Sequence, residues 1–175
     1  VMEQMYGPEQ IRKFLKYELD RYLRARGGEV LEELPLVRVE NQPYIHYQKG
    51  GLALYLLKDQ IGAERVNEAL RGLLDEFAFK PAPYPNPTDL VRRFREVAGP
   101  EQQQLITDLF EKITLYDVKV AEATTKQRPD GRWDVDLEVE ARKLYADGKG
   151  EETEAPLAES FDIGVFTVEP GRKGY

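Results

Sequence analysis

Apolar residues recur at helical spacing through the first two-thirds of the chain and at a spacing of two in the last third. This change of period predicts an α+β fold, with a helical bundle or solenoid region over residues 1–114 and an antiparallel β-domain over residues 115–175. Gly7-Pro8 places proline at a first helical position, and Ile11, Phe14, Leu15, Leu19, Tyr22 and Leu23 follow until Gly27-Gly28 ends the run. Residues 29–48 hold Pro35, Pro43 and the short alternation Leu36-Val37-Arg38-Val39, which predicts a loop or a brief extended segment. Gly50 to Asp59 is apolar almost all round, as a buried helix is, and after Gly62 an amphipathic helix carries Val66, Ala69, Leu70, Leu73, Leu74 and Phe77. The run Lys80 to Pro87 cannot be helical, because each of its prolines holds the preceding residue extended. Asn86 or Thr88 then caps a helix with Leu90, Val91, Phe94 and Val97, and Gly99-Pro100 starts another with Leu105, Ile106, Leu109, Phe110 and Ile113.

From Leu115 the alternation of Tyr116, Val118 and Val120 predicts a strand. The turn signal Arg128-Pro129-Asp130-Gly131 and a second alternating run from Trp133 to Ala141 complete a hairpin. A turn over 145–150 leads through Glu151–Glu154, read as a solvated strand edge, to an expected last strand at Phe161–Val168. Three or four strands with one acidic face make an antiparallel sheet with one side in water. Such a sheet has edges that a complete sandwich would pair, so the β-domain is expected to be incomplete.

The 175 residues suffice for one sizeable core or two small ones that share an interface, and 41 % hydrophobic with 33 % charged residues is a globular composition. The longest apolar stretch, Gly50 to Leu57, is too short to cross a bilayer, and the N-terminus lacks the pattern of a signal peptide. Val1 suggests a chain that begins within a longer protein. Absence of cysteine excludes disulfides, thiolate metal sites and cysteine nucleophiles. Much of the net charge of −7 falls in the β-region, where no cationic footprint for nucleic acid exists. The basic residues of the first long helix, such as Arg12, Lys13 and Lys16, are offset by Glu9, Glu18 and Asp20.

Several chemistries are excluded by residue type. His46 is the single histidine, so an HExxH zinc site cannot be built, and metal ligation by His46 alone with nearby glutamates falls short of a catalytic zinc set. Ser160 is the single serine and stands in no nucleophile elbow. Gly148-Lys149-Gly150 lacks the spacing of a phosphate loop, and Glu151–Glu154 lacks that of a calcium loop.

The informative segment is Pro43-Tyr44-Ile45-His46-Tyr47-Gln48-Lys49-Gly50, followed by the apolar run to Leu57. It resembles the Tyr-x-Lys-Gly element of the aminopeptidase N family of zinc metallopeptidases, which stands at the N-terminus of a buried helix beyond the zinc site. Flanking sequence agrees: Ile61-Gly62-Ala63-Glu64, Pro87-Thr88-Asp89-Leu90 and Val97-Ala98-Gly99 look like the family's following helices, and Met2–Gly7 is similar to the run after its third zinc ligand. The resemblance covers residues 1 to about 115 well and the strands less specifically.

The resemblance implies that Tyr47 matches the tyrosine that donates a hydrogen bond to the oxyanion in the transition state. A phenol with an ordinary pKa near 10 keeps its proton at neutral pH, as that role requires. On residue chemistry alone, a packing aromatic with a satisfied hydroxyl is the commoner reading. Gln48 stands where the family often has an acidic residue and carries no role; Lys49 has a counterpart of supporting role, and Tyr44 has none. Zinc, its ligands and the substrate-amine motif are expected upstream, in a parent protein of which this chain is a C-terminal fragment, inactive alone. Residues 143–150 and 161–166 look most like bacterial members in which the peptidase module follows an ABC-type permease region, which implies a membrane-associated parent that acts on peptides. The rival expectation is a degenerate peptidase fold kept as a non-catalytic interaction or scaffold module. A self-sufficient binding domain unrelated to peptidases is the third.

Overall fold

The computed structural model describes residues 2–165, apart from the side chains of Met2, Pro8 and Glu9. Its helices are α1 (Met2–Tyr6), α2 (Pro8–Gly27), α3 (Gly50–Ile61), α4 (Ala63–Phe77), α5 (Pro87–Val97) and α6 (Gln103–Ile106). They precede an open antiparallel sheet of β1 (Ile113–Gln127), β2 (Trp133–Ala146) and β3 (Glu152–Ala155), in the order β1-β2-β3. Two wide helical turns extend regular helices: Tyr44–Lys49 leads into α3, and Thr107–Glu111 continues α6. The architecture is the α+β arrangement that the change of hydrophobic period predicts.

Local chemistry explains the boundaries. Gly62, at φ +89°, supplies the left-handed backbone between α3 and α4. Asn86 caps α5 in a reciprocal box, its side chain accepting from the Thr88 N–H while Asp89 accepts from the Asn86 N–H. The main core joins Ala53, Leu57 and Ile61 of α3 to Val66 and Ala69 of α4, Val91 and Phe94 of α5, and the Leu105–Phe110 stretch. Phe94 and Phe110 stack at 5.5 Å. A smaller core of Tyr22, Tyr44 and Ile45 fastens α2 to the turn before α3, and Leu36 packs against both cores.

Three boundaries differ from expectation. Helical structure begins at Tyr44, inside the expected loop, because Pro43 suits a helix start and Tyr44 and Ile45 both find a core to enter. Ile113 opens β1 rather than closing a helix, and it pairs with Ala146. The expected strand at Phe161–Val168 is absent over 161–165, and 166–168 lie outside the described residues. The third strand is instead Glu152–Ala155, the segment read as a solvated edge, which pairs with Lys143–Ala146 until Pro156, with no N–H to donate, ends it. Beyond this packed end the β1–β2 ribbon projects with both faces in solvent, so Val118, Val120, Trp133 and Val135 are exposed on its apolar side.

Helices and sheet are joined by a buried ion pair. Lys143 Nζ lies 2.9 Å from Asp108 Oδ2 and 2.6 Å from Glu159 Oε1. Asp108 also accepts from the Tyr145 hydroxyl at 2.8 Å and from Gln104 Nε2 at 2.9 Å. Its side chain is fully covered and that of Lys143 nearly so.

Candidate functional site

Tyr47 stands on the wide turn Tyr44–Lys49. Such turns carry an extra residue per turn and thereby change which side chains face the core. Tyr44, Ile45 and Lys49 point into the protein, while His46 and Tyr47 are exposed. At its end the Gly50 N–H donates to the carbonyls of Ile45 and Tyr47, so the turn passes without a break into α3. The Tyr47 side chain is 70 % exposed, with the His46 ring 4.6 Å away. Its hydroxyl is therefore available to an outside group rather than consumed by the core.

Tyr47 borders an open groove of about 480 Å³ between α2 and α3. Ile11, Phe14, Leu15, Leu52 and Tyr55 form its apolar lining, and Glu18, Arg21 and Gln48 its polar part. Further along α2, Tyr17, Leu19 and Leu23 are exposed as well. The expected apolar face of this helix is thus real, but only Ile11 and Tyr22 of it are buried. Exposed apolar side chains grouped beside a groove are the kind of surface that meets another molecule.

Lys49 shares the motif but takes no place beside Tyr47. It is buried on the opposite side of the turn, its Nζ 3.8 Å from Glu33 Oε1 and 5.7 Å from the centre of the Tyr22 ring, with no hydrogen-bond partner. Glu33 is held by the Arg26 Nε at 2.7 Å and the Tyr22 hydroxyl at 3.2 Å. Burial pulls the Lys49 pKa below its ordinary value against the opposing attraction of Glu33, and burial with the nearby Glu33 carboxylate pushes that of Tyr22 up. Lys49 is thus an internal side chain behind the turn that presents Tyr47.

Desolvation of Lys49 has a measurable cost. Lys49→Met is expected to leave stability unchanged or raise it by up to about 1 kcal/mol in urea denaturation, because Glu33 keeps Arg26 and Tyr22 while an unbonded ammonium is removed. With its folded pKa below the unfolded value of about 10.4, Lys49 makes the wild type gain stability as pH rises through that interval. The variant should lose that gain. A loss of several kcal/mol at neutral pH instead would show that Lys49 and Glu33 act as a strong pair.

Sequence reasoning missed two polar clusters, and one of them left a readable signal. Lys143 occupies the strand phase otherwise filled by Val135, Leu137, Val139 and Ala141, and Asp108 sits within the apolar run from Leu105 to Phe110. A charge at an inward phase announces a buried partner. Glu33 gave no such signal, since it stands in an acidic loop without period.

Among the described residues no group of three or more His, Cys, Asp or Glu side chains is placed to hold a metal ion. Also among the described residues, no helix is long and apolar enough to cross a membrane. Comparison with protein-family profiles, with curated proteins and with solved structures finds no match to this chain.

Proposed function

We propose that this chain is the C-terminal part of a zinc-dependent aminopeptidase and supplies Tyr47 as a hydrogen-bond donor to the peptide carbonyl oxygen as it becomes an oxyanion. The observation that carries the reading is the exposure of Tyr47 at the head of α3, beside an open groove, within a Tyr-x-Lys-Gly element. A donor held on a helix start needs little reorganisation as charge develops, and one such preorganised donor is worth about 3 kcal/mol of transition-state stabilisation. The described residues do not fit zinc, so in this reading its ligands belong to other parts of a longer protein. Alone, the chain hydrolyses nothing. The parent is bacterial and membrane-associated, joined to an ABC-type permease region, and its substrates are peptides with a free N-terminus.

The test is hydrolysis of aminoacyl amides by that longer protein. Release of N-terminal residues should stop on chelation and return with zinc. A purified longer protein that holds no metal and releases no N-terminal residue would overturn the proposal. That result would favour a second reading, a non-catalytic module that docks a protein partner, to which the exposed apolar side of α2 is suited.

A further inference from the structure

Among the described residues β1 is an edge strand, and from Tyr116 onward its side chains are exposed on both faces of the ribbon. Its backbone N–H and C=O groups on the side away from β2 have no strand beside them, which makes that edge a template for a further strand. A two-stranded ribbon is by itself marginal in water, so this one gains from being completed. Side chains alternate along it. Val118 and Val120, opposite Ala141 and Val139 of β2, belong to the apolar side; Asp117 and Lys119, opposite Arg142 and Glu140, belong to the charged side.

We propose that a second copy of this chain pairs with the β1 edge, antiparallel about a two-fold axis at Val118, to give one four-stranded sheet in the order β2-β1-β1-β2. Symmetry restricts the register. A two-fold that relates antiparallel neighbours stands perpendicular to the sheet, so paired residues share a face and one residue must face its own copy. With Asp117 or Lys119 at that point, like charges meet on the axis. With Val120 there, the bulge between Val120 and Glu122 falls at the centre of the ladder, and with Tyr116 there, Asp117 stands against Leu115. Val118 at the axis sets Asp117 of each copy opposite Lys119 of the other. The bulge then ends the ladder, which leaves Tyr116–Val120 as the paired stretch.

Charge complementarity runs across the whole sheet in this register. Within each copy Arg142 holds Asp117 at 2.6 Å and Glu140 holds Lys119 at 2.9 Å. Pairing at Val118 gives the row Arg142, Asp117, Lys119, Glu140, the last two from the second copy, in which every neighbour has the opposite sign. On the other face the row Ala141, Val118, Val118, Ala141 is apolar throughout. The helical part of the chain meets the sheet on this apolar side, where Lys143 and Tyr145 bond to Asp108. The axis keeps that side common to both copies and reverses the strands, so the helical part of each copy stands toward the hairpin end of the other, where Trp133 and Val135 are exposed. The inference does not depend on the role of Tyr47, which stands on a different element.

The test is sedimentation equilibrium of the chain from about 1 to about 200 µM, where a dimer of the 20.2 kDa chain with a dissociation constant of about 10 µM or tighter is expected. Because the chain has no cysteine, Val118→Cys reports on the axis: it should form an intermolecular disulfide on mild oxidation, since facing residues of an antiparallel pair have Cα atoms about 5 Å apart. Gln127→Cys, at the hairpin end, should not. Val118→Arg, which sets like charges on the axis, should weaken the dimer by about 10²-fold or more, and Lys119→Glu by about tenfold. Lys126→Glu makes the same change of net charge beyond the bulge and should leave the affinity unaltered. All these positions are exposed, so the variants keep the fold. A chain that stays monomeric at about 200 µM would overturn the proposal and leave the ribbon to a different protein. A dimer that Val118→Arg leaves intact, that Lys126→Glu weakens as much as Lys119→Glu does, or that Gln127→Cys cross-links as readily as Val118→Cys would overturn it as well.

Discussion

Asp108→Ala is expected to destabilise the protein by about 3–5 kcal/mol, because it leaves the buried Lys143 ammonium with Glu159 alone and removes the acceptor of Tyr145 and Gln104. That is a large share of the stability of a chain this size. Replacing both partners, as Asp108→Leu with Lys143→Met, should recover the part of the loss that comes from the unpaired buried ammonium, while Tyr145 and Gln104 still lack their acceptor. Urea denaturation of the two single variants and the double variant measures this directly. A double variant as unstable as the sum of the singles would contradict the account. Burial works against ionisation of Asp108, but Lys143, Tyr145 and Gln104 outweigh it and hold its carboxyl below the ordinary range. A depressed folded pKa means that its contribution is complete above about pH 4 and is lost as pH falls further through the folded value. Wild-type stability should therefore decline in acid, and Asp108→Ala should flatten that decline.

Tyr47→Phe, in the longer protein that the proposed function requires, is expected to lower kcat by about 10²-fold with KM little changed, as loss of one donor that acts only on the developing oxyanion does. Exposure of Tyr47 makes this a clean substitution: the ring stays beside His46 and over the groove, and no core contact is removed. Stability should change by less than about 0.5 kcal/mol, as is usual for a surface site. His46→Ala, which removes the neighbouring ring and leaves the phenol in place, should be far milder.

Much of the fold was legible because period and punctuation agree. Pro8, Gly27-Gly28, Gly62, Asn86 and Gly99-Pro100 bound helices where their backbone preferences dictate, and Arg128–Gly131 turns the hairpin. The difficult places are those where tertiary contact overrides the local signal. Tyr44–Lys49 winds as a wide turn because Tyr44 and Ile45 enter a core whose other member, Tyr22, is a helix away in sequence. Glu152–Ala155 becomes a strand because β2 offers it a register, although half of its own residues are charged and Phe161, Ile163 and Val165 alternate more convincingly. A strand edge is chosen by pairing as well as by pattern.

For the site, the motif located Tyr47, and its outward placement was not legible in it. Period alone could not separate the buried Tyr44 from the exposed Tyr47 three residues later, since residues three apart share a face of a regular helix. The wide turn and the Tyr22–Tyr44 stack decide the matter, and the charged cluster of Arg26, Glu33 and Lys49 behind them depends on contacts between separate segments of the chain.

The proposed role of the Tyr47 phenol is tested most directly by the affinity of a tetrahedral phosphinic peptide, compared with that of an uncleaved substrate amide, in wild-type longer protein and in its Tyr47→Phe variant at equal zinc content. The account predicts that the variant loses about 10²-fold in affinity for the tetrahedral anion and almost none for the amide. Equal affinities for the anion in both proteins would contradict it.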